Sequence, residues 1–222
     1  MPMYAAVVID VDSTLCGVEG IDFLAARRGP AVTAQIVALT DKAMKGEIPL
    51  ESIYGHRLTT IQPTRADVAA LAAEYERTVA PGAADAIAAM RAAGARLVLV
   101  SGGIREAIGP VAQRLGFDAA DVHAVSVRFD SAGNYLDFDR SSPLTTQPGK
   151  PVLVRALMEE GRLPRPVLAV GDGATDAKLV GVVNRFLAYT GFARRANVVS
   201  VADGEVASFA ELERIVAGDG TK

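Results

Sequence analysis

Three short apolar runs constrain the fold more than any other feature of this sequence. They span residues 4–10, 96–102 and 166–172, and each is about one strand long and continuous rather than alternating. Continuous apolar runs of this length are typical of strands that are buried on both faces of a parallel sheet. Their alternation with helical patterns predicts an α/β fold built on a doubly wound, Rossmann-like parallel sheet. The helical patterns occupy residues 82–94, 105–116, 151–161 and 208–218.

Residues 17–79 interrupt this alternation, because they contain no strand-like run. Apolar side chains recur there at helical spacing, which predicts several helices. We therefore expect a small helical cap over residues 17–79, inserted after the first strand. The α/β core would consist of residues 1–16 and 80–222. Residues 125–139 have the pattern of a β-hairpin around a Gly-Asn turn, which we expect to form a flap.

The composition excludes several classes of protein. Half of the 222 residues are hydrophobic and the formal net charge is -3, so the chain lacks the basic character that favours a nucleic-acid or membrane partner. The single cysteine, Cys16, rules out an intramolecular disulfide and fits a reducing compartment. The sequence has neither a basic leader nor an apolar stretch of ~20 residues. We therefore expect a cytoplasmic protein.

Acidic side chains follow two of the three apolar runs. Asp10 ends the first run, and Asp12 stands two residues later, so an extended chain directs both side chains to one face. Asp172 ends the third run, and Asp176 follows four residues later. Ligands bind at the carboxyl ends of strands in sheets of this kind. If the two strands are neighbours, the four carboxylates converge on a site suited to a hard cation such as Mg²⁺.

Two further segments add groups that bind anions. Ser101, Gly102 and Gly103 follow the second apolar run, and Lys150 stands at the start of a helical pattern. A hydroxyl, backbone N–H groups and an ammonium suit an anion of phosphate size. Together with the acids and a hard cation, this pattern favours phosphoryl transfer.

Each of these elements has a simpler interpretation when it is taken alone. An isolated Asp-x-Asp is usually a turn or a helix cap, and Gly-Asp-Gly is usually a turn. Lys150 alone would be a solvated surface charge. The functional interpretation depends on the combination, because each element follows a predicted strand or opens a predicted helix in a consistent order.

That order of motifs resembles the haloacid dehalogenase superfamily of phosphatases. The pattern is Asp-x-Asp-x-Thr, a Ser after an apolar strand, a Lys, and Gly-Asp-Gly-x-x-Asp, here at residues 10–14, 101, 150 and 171–176. Within the superfamily, DVDSTLCGVEGIDFLA, AMKGEIP, IQPT, LVSGGIREAI and FDSAGNYLDFD are similar to phosphoserine phosphatases. The resemblance implies a Mg²⁺-dependent enzyme that hydrolyses O-phosphoserine through an aspartyl-phosphate, the last step of serine biosynthesis.

The resemblance also implies roles for the catalytic residues. Asp10 would be the nucleophile. Asp12 would protonate the leaving oxygen and later take a proton from the attacking water. Ser101 and Lys150 would hold the phosphate oxygens. The two acids would thus face one side of the chain because one attacks while the other transfers protons.

For the metal, the resemblance implies three ligands. Mg²⁺ would be held by Asp10, by Asp172 and by the backbone carbonyl of Asp12. Asp176 would not be a ligand itself. It would orient Lys150 or a water molecule bound to the metal.

Substrate specificity is expected to come from the cap. Glu19 would bind the substrate ammonium, although it could also be an acid that complements a helix N-terminus. Arg57 lies on an otherwise apolar stripe, where an unpaired guanidinium would be unfavourable. We favour a bidentate contact with the substrate carboxylate, and the alternative is an arginine that extends from the edge of the stripe to solvent.

The resemblance implies further substrate-binding positions. Met44 would line the closed pocket, and Gly102, Gly103 and Thr175 would lie on substrate loops. A late basic position could be filled by Arg194 or Arg195, and Arg195 aligns better with the family pattern.

Two other functions are compatible with parts of this pattern. Another small-molecule phosphatase or phosphotransferase of the superfamily would use the same core but would need neither Glu19 nor Arg57. A phospho-receiver signalling module also combines acids, a Ser or Thr and a Lys, but it would be about half this length and would lack the insertion. The expected partner is a small phosphorylated amino acid, with no nucleic acid and no membrane. A homodimer is an option that the sequence leaves open.

Overall fold

A parallel six-stranded sheet forms the centre of the computed structural model, which describes residues 2–44 and 50–218. The strands of the described residues are β1 (Ala6–Ile9), β2 (Arg96–Ile104), β3 (Val122–Val125), β4 (Val127–Phe129), β5 (Tyr135–Phe138), β6 (Val167–Gly171), β7 (Arg185–Tyr189) and β8 (Glu205–Val206). The main sheet has the order β3-β2-β1-β6-β7-β8. Counted along the chain among themselves, these strands have the order 3-2-1-4-5-6 of a Rossmann sheet. The predicted doubly wound fold is confirmed.

The central position of β1 follows from its burial on both faces. All four of its residues are buried, as are all five of β6. Ile9 pairs in parallel with Leu99 of β2 on one side and with Val170 of β6 on the other. The carboxyl ends of three neighbouring strands therefore meet at one edge of the sheet.

Helices flank the sheet and fill the connections between strands. Within the described residues they are α1 (Gly20–Arg27), α2 (Pro30–Met44), α3 (Leu50–Ile61), α4 (Arg65–Arg77), α5 (Ala83–Ala92), α6 (Arg105–Arg114), α7 (Gly149–Glu159), α8 (Ala174–Ala177), α9 (Ala196–Val199) and α10 (Phe209–Ala217). α5 packs against α10, and α6 packs against α4. Among the described residues, no helix has the length and apolar character needed to cross a bilayer.

The segment between β1 and β2 is helical, as the sequence predicts. Within the described residues, it contains α5, which belongs to the predicted core, and before it α1 to α4, of which α1 contacts α2, α3 and α4. Asp67 closes a capping box with Thr64 at the start of α4. The same carboxylate pairs with Arg27 at 3.0 Å and with Arg28 at 2.7 Å. Because Arg27 ends α1, these ion pairs connect α1 to α4.

The predicted hairpin is present as the antiparallel pair β4 and β5. Gly133 occupies the turn with φ +87°, a left-handed conformation that glycine adopts without steric cost. The ring of Phe138 packs edge-on against Tyr54 of α3, with 5.3 Å between ring centroids. The hairpin therefore contacts the helical insertion.

Candidate active site

The carboxyl ends of β1, β2 and β6 open into a cavity of about 510 Å³. Asp10 follows β1, Ser101 lies near the end of β2, and Asp172 follows β6. The structure thus brings together residues that the sequence separates widely. The predicted site residues that line this cavity are Asp10, Asp12, Glu19, Arg57, Ser101, Gly102, Lys150, Asp172, Thr175, Asp176 and Arg195.

Lys150, in the first turn of α7, lies between two buried carboxylates and contacts both. Its Nζ lies 2.5 Å from Asp10 Oδ1 and 2.6 Å from Asp176 Oδ1. Burial alone lowers the pKa of Lys150, but the two carboxylates outweigh it and raise the pKa. The ammonium is therefore charged at neutral pH and fixes the orientation of both acids.

The electrostatic surroundings of Asp10 disfavour its ionised form. Burial raises the pKa of Asp10 to about 8, and Asp176 and Asp12 act in the same direction, against Lys150. Three buried acids, Asp10, Asp172 and Asp176, have ligand oxygens within 4.8 Å of one another. Thr14 Oγ1 donates to Asp172 Oδ1 at 3.1 Å. Such a concentration of carboxylate oxygens can bind a metal ion.

The Gly-Asp-Gly segment fixes the position of Asp176. A Cβ at Gly171 would lie 2.2 Å from Asp176 Cγ, so only glycine leaves room for this carboxyl group. The N–H of Gly173 donates to Asp176 Oδ2 at 3.1 Å. One carboxylate oxygen is thus held by the backbone and the other by Lys150.

Asp12 stands apart from the acid cluster and has its own donors. Tyr75 Oη donates to Asp12 Oδ1 at 2.5 Å. Burial raises the pKa of Asp12 to about 7, although the hydrogen bond from Tyr75 lowers it. A carboxyl group with such a pKa can both donate and accept protons near neutral pH.

Ser101 is buried at the base of the cavity and is held by its own strand. Its Oγ accepts a hydrogen bond from the N–H of Gly103 at 2.9 Å. Gly102 lines the cavity, whereas Gly103 is buried and is absent from the lining. Because the N–H of Gly103 donates to Ser101, the role of Gly103 in this structure is to hold the Ser101 hydroxyl in place.

Glu19 and Arg195 form an ion pair at the mouth of the cavity. Glu19 is the N-cap residue of α1, but its side chain makes no capping hydrogen bond. Arg195 Nη2 lies 2.9 Å from Glu19 Oε1, and Nη1 contacts Asp172. Arg194 instead pairs with Glu205, outside the cavity lining, at 2.9 Å. Of the two candidate arginines, the structure brings Arg195 into the site.

Helix α3 contributes both apolar side chains and a cationic side chain to the lining of the cavity. Arg57 lines it together with Ile53 and Tyr54. Burial raises the pKa of the neighbouring Asp22, and the charge of Arg57 opposes this shift. The side chain of Met44 lies outside the described residues, so its predicted place in the pocket stays a prediction.

Several site residues are not predicted by the sequence pattern. Tyr75 is the most informative, because it is fully buried and contacts Asp12 directly. It continues the stripe of Val68, Leu71 and Ala72 on α4, so a polar tip on an apolar helix face could have indicated it. Other unpredicted residues carry no comparable signal: Ser13, which donates to Glu19 at 2.8 Å, and Tyr54, Thr146, Gln147 and Asn197 in the lining.

The arrangement has the parts that phosphoryl transfer to a carboxylate requires. A buried acid oriented by a lysine adjoins a second acid with a pKa near neutrality and a cluster able to bind a cation. Hydroxyl and backbone donors adjoin the same space. This combination defines the site of a phosphate-transferring hydrolase.

Comparisons with known proteins agree with this class. Residues 7–180 match the model of haloacid dehalogenase-like hydrolases. The chain is 34% identical over 209 residues to the chloroplastic phosphoserine phosphatase of Arabidopsis thaliana, covering 93% of this chain and 70% of the relative. It is 33% identical over 207 residues to the phosphoserine phosphatase of Bos taurus, covering 93% and 91%. The chain therefore belongs to the haloacid dehalogenase-like hydrolase family, and within it to the phosphoserine phosphatase group.

A solved structure supports the fold independently. A phosphoserine phosphohydrolase-like protein from Francisella tularensis superposes with a TM-score of 0.80 at 24% identity, covering 95% of this chain and 99% of that one. At this level of identity the similarity concerns the fold alone.

Proposed function

We propose that this chain hydrolyses O-phosphoserine to serine and inorganic phosphate through an aspartyl-phosphate on Asp10. The observation that carries the proposal is the pairing of Asp10 with Lys150 at 2.5 Å, beside Asp12 at the end of the central strand. The similarity to proteins named phosphoserine phosphatase supports phosphoserine, rather than another phosphate ester, as the substrate of this chain. The same relationship favours a role in the last step of serine biosynthesis.

The metal of the proposed reaction is Mg²⁺. The fit is supported by the buried acid cluster, whose three carboxylates carry more negative charge than Lys150 and Arg195 together neutralise. Asp10, Asp172 and the backbone carbonyl of Asp12 would hold the ion, while Asp176 orients Lys150. When bound, a divalent cation reduces the repulsion between the Asp10 carboxylate and the phosphate dianion.

The first step forms the covalent intermediate. A carboxylate oxygen of Asp10 attacks phosphorus while the bond from phosphorus to the seryl oxygen breaks. Asp12, protonated, donates its proton to the departing seryl oxygen, and serine leaves as the neutral alcohol. Lys150 and Ser101, with backbone N–H groups near Gly102, would hold the three remaining phosphate oxygens.

The second step reverses the use of Asp12. The carboxylate of Asp12 takes a proton from water as the water oxygen attacks phosphorus. The bond from phosphorus to Asp10 breaks, which releases inorganic phosphate and restores both acids. The pKa of about 7 for Asp12 suits this alternation, because neither form is far from neutral pH.

Specificity for the amino acid would come from the helical insertion. We assign Arg57 to the substrate carboxylate and Glu19 to the ammonium, with Met44 and Thr175 as further contacts. Arg195, which pairs with Glu19, would orient Glu19 and contact the substrate. In this proposal residues 17–79 act as the cap over a catalytic core of residues 1–16 and 80–222. A cytoplasmic location fits this role, and a homodimer is an open option that light scattering on the purified protein tests.

The direct test measures phosphate release from phosphoserine, phosphothreonine, phosphocholine and histidinol phosphate, with and without Mg²⁺. The expected result is a preference for phosphoserine and dependence on the metal. Asp10→Asn should retain less than about one per cent of the turnover, since loss of a nucleophile costs several orders of magnitude. A preference for another ester would contradict the substrate, and an active Asp10→Asn variant would contradict the covalent route.

A further inference from the structure

Tyr75 contacts Asp12 from α4, a helix that contributes no residue to the lining of the cavity. It stands in the last turn of α4, and its side chain is fully buried. Its hydroxyl donates to Asp12 Oδ1 at 2.5 Å. A buried tyrosine hydroxyl without a partner would be unfavourable, so Asp12 is the group that makes this burial possible.

The hydroxyl of Tyr75 occupies a slot between two glycines. A Cβ at Gly20 would lie 2.4 Å from Tyr75 Oη, and a Cβ at Gly103 would lie 3.1 Å from it. Gly20 is the first residue of α1, and Gly103 belongs to β2. The hydroxyl therefore has little room to move away from Asp12.

The Tyr75 hydroxyl is thus a donor held in place at one oxygen of the Asp12 carboxyl group, Oδ1. The carbonyl-type oxygen of a protonated carboxyl group accepts hydrogen bonds while the other oxygen carries the proton. A donor that is fixed at Oδ1 therefore directs the proton of Asp12 to Oδ2.

We propose that Tyr75 is a positioning residue for Asp12, which holds Oδ1 so that Oδ2 carries the proton passed to the leaving oxygen. This inference rests on the acid–base role proposed above for Asp12. Tyr75 contacts neither the nucleophile nor the acid cluster by any hydrogen bond recorded among the described residues. Its effect is therefore confined to the proton transfers that Asp12 makes.

The test compares two esters that differ in their need for that acid. Phosphoserine releases a strongly basic alkoxide unless it is protonated, whereas p-nitrophenyl phosphate releases a weakly basic phenolate. We measure kcat/KM, because it reports the steps up to release of the leaving group. Tyr75→Phe should lower kcat/KM for phosphoserine roughly 10- to 100-fold, a share of the full contribution of a general acid. For p-nitrophenyl phosphate the loss should stay below about threefold, because that leaving group needs little protonation.

A matched control removes a buried tyrosine hydroxyl elsewhere. Tyr189 of β7 is buried against Phe192 and Phe209 and does not line the cavity. Tyr189→Phe should leave kcat/KM unchanged for both esters. Thermal unfolding of both variants checks that each is folded.

A second variant tests the slot itself. Gly20→Ala places a Cβ 2.4 Å from Tyr75 Oη, so it should displace the hydroxyl and reproduce the selective loss on phosphoserine. In a Tyr75→Phe background the same change should cost clearly less, because no hydroxyl remains to collide with it. Additive losses in the double variant would contradict a shared cause.

The outcomes separate this inference from the proposed function. A selective loss on the alkyl ester supports the positioning role, and equal losses on both esters, or none on either, overturn it. If the wild type prefers another alkyl phosphate, the proposed substrate fails, and the same comparison on that ester still decides the role of Tyr75. A wild type that hydrolyses no phosphate ester overturns both.

Discussion

The Nζ atom of Lys150 lies 2.5 Å from Oδ1 of Asp10, and both side chains are almost fully buried, with 6% and 7% of their surface exposed. The same ammonium also neutralises Asp176. Two buried carboxylates therefore depend on one buried cation. Removing one partner of such a pair leaves an uncompensated charge in the interior, which is far more costly than losing a surface ion pair.

We predict that Lys150→Met lowers the free energy of unfolding by roughly 3–5 kcal/mol, as measured by urea denaturation. Asp176→Asn in the same background should recover part of the loss, because one of the two unpaired charges is then gone. Lys178 is exposed, and Lys178→Met is the matched control, expected to stay within about 0.5 kcal/mol of the wild type. Equal effects of the two lysine substitutions would contradict this account.

Arg57 and Glu19 should separate phosphoserine from a generic phosphate ester. Arg57→Ala removes a charge-assisted contact with the substrate carboxylate, so kcat/KM for phosphoserine should fall about 10- to 100-fold. A small aryl phosphate has no carboxylate and should lose little. Glu19→Gln should show the same selectivity through the ammonium. Arg77→Ala changes an exposed arginine of α4 and serves as the control. Equal losses of kcat/KM on both esters would contradict the assignment of Arg57 and Glu19 to the amino-acid part of the substrate.

Mg²⁺ should stabilise the fold as well as support activity. In the presence of about 100 times its dissociation constant, a ligand of the folded state adds about 2.7 kcal/mol, so Mg²⁺ should raise Tm after chelator treatment. Asp172→Asn should abolish most of this rise, whereas the exposed Asp118→Asn should not. Ca²⁺ should restore activity poorly, because it prefers a larger and more variable shell. Full activity in excess chelator would exclude the proposed metal site.

Asp67 should give the stability of the helical insertion a defined pH dependence. Burial alone raises the pKa of Asp67, but hydrogen bonds from Thr64 and Arg27 and the charge of Arg28 outweigh it and lower the pKa. A lowered pKa in the folded state stabilises the protein above the ordinary aspartate pKa of about 3.9, and the contribution disappears as the pH falls through the folded value.

We therefore predict that Asp67→Asn lowers the free energy of unfolding by about 1–2 kcal/mol at pH 7. The difference from the wild type should shrink below about pH 4, as urea denaturation across pH would show. Asp85→Asn, at an exposed acid in the first turn of α5, should have a small effect at every pH. A difference for Asp67→Asn that does not change with pH would contradict the electrostatic explanation.

The sequence predicts those elements of the fold whose own hydrophobic pattern is sufficient to identify them. β1, β2 and β6 are continuous apolar runs, and their ends bring Asp10, Ser101 and Asp172 to one edge because parallel strands end together. β3, β7 and β8 were not predicted. β8 has only two residues and β7 begins with Arg185, so their strand character depends on pairing with neighbours.

The sequence pattern does not predict which side chains form hydrogen bonds with partners that are far away in the chain. Thr14 donates to Asp172 across 158 positions, and Tyr75 donates to Asp12 across 63. Which oxygen a buried hydroxyl reaches depends on how helices pack, and no local periodicity carries that information. Arg57 differs, because a charge on an apolar stripe is visible in the sequence itself.

The position of β1 between β2 and β6 has a consequence for how the protein is made. During synthesis Asp10 emerges before Lys150, which lies 140 positions later in the chain, and β6 follows Lys150. Pairing between such distant segments forms slowly, after local helices and collapse. A partly synthesised chain therefore lacks the lysine that orients Asp10, so we expect it to be inactive. In a refolding sample, the moment at which turnover appears would therefore report when β6 joins the sheet, rather than when the chain becomes compact.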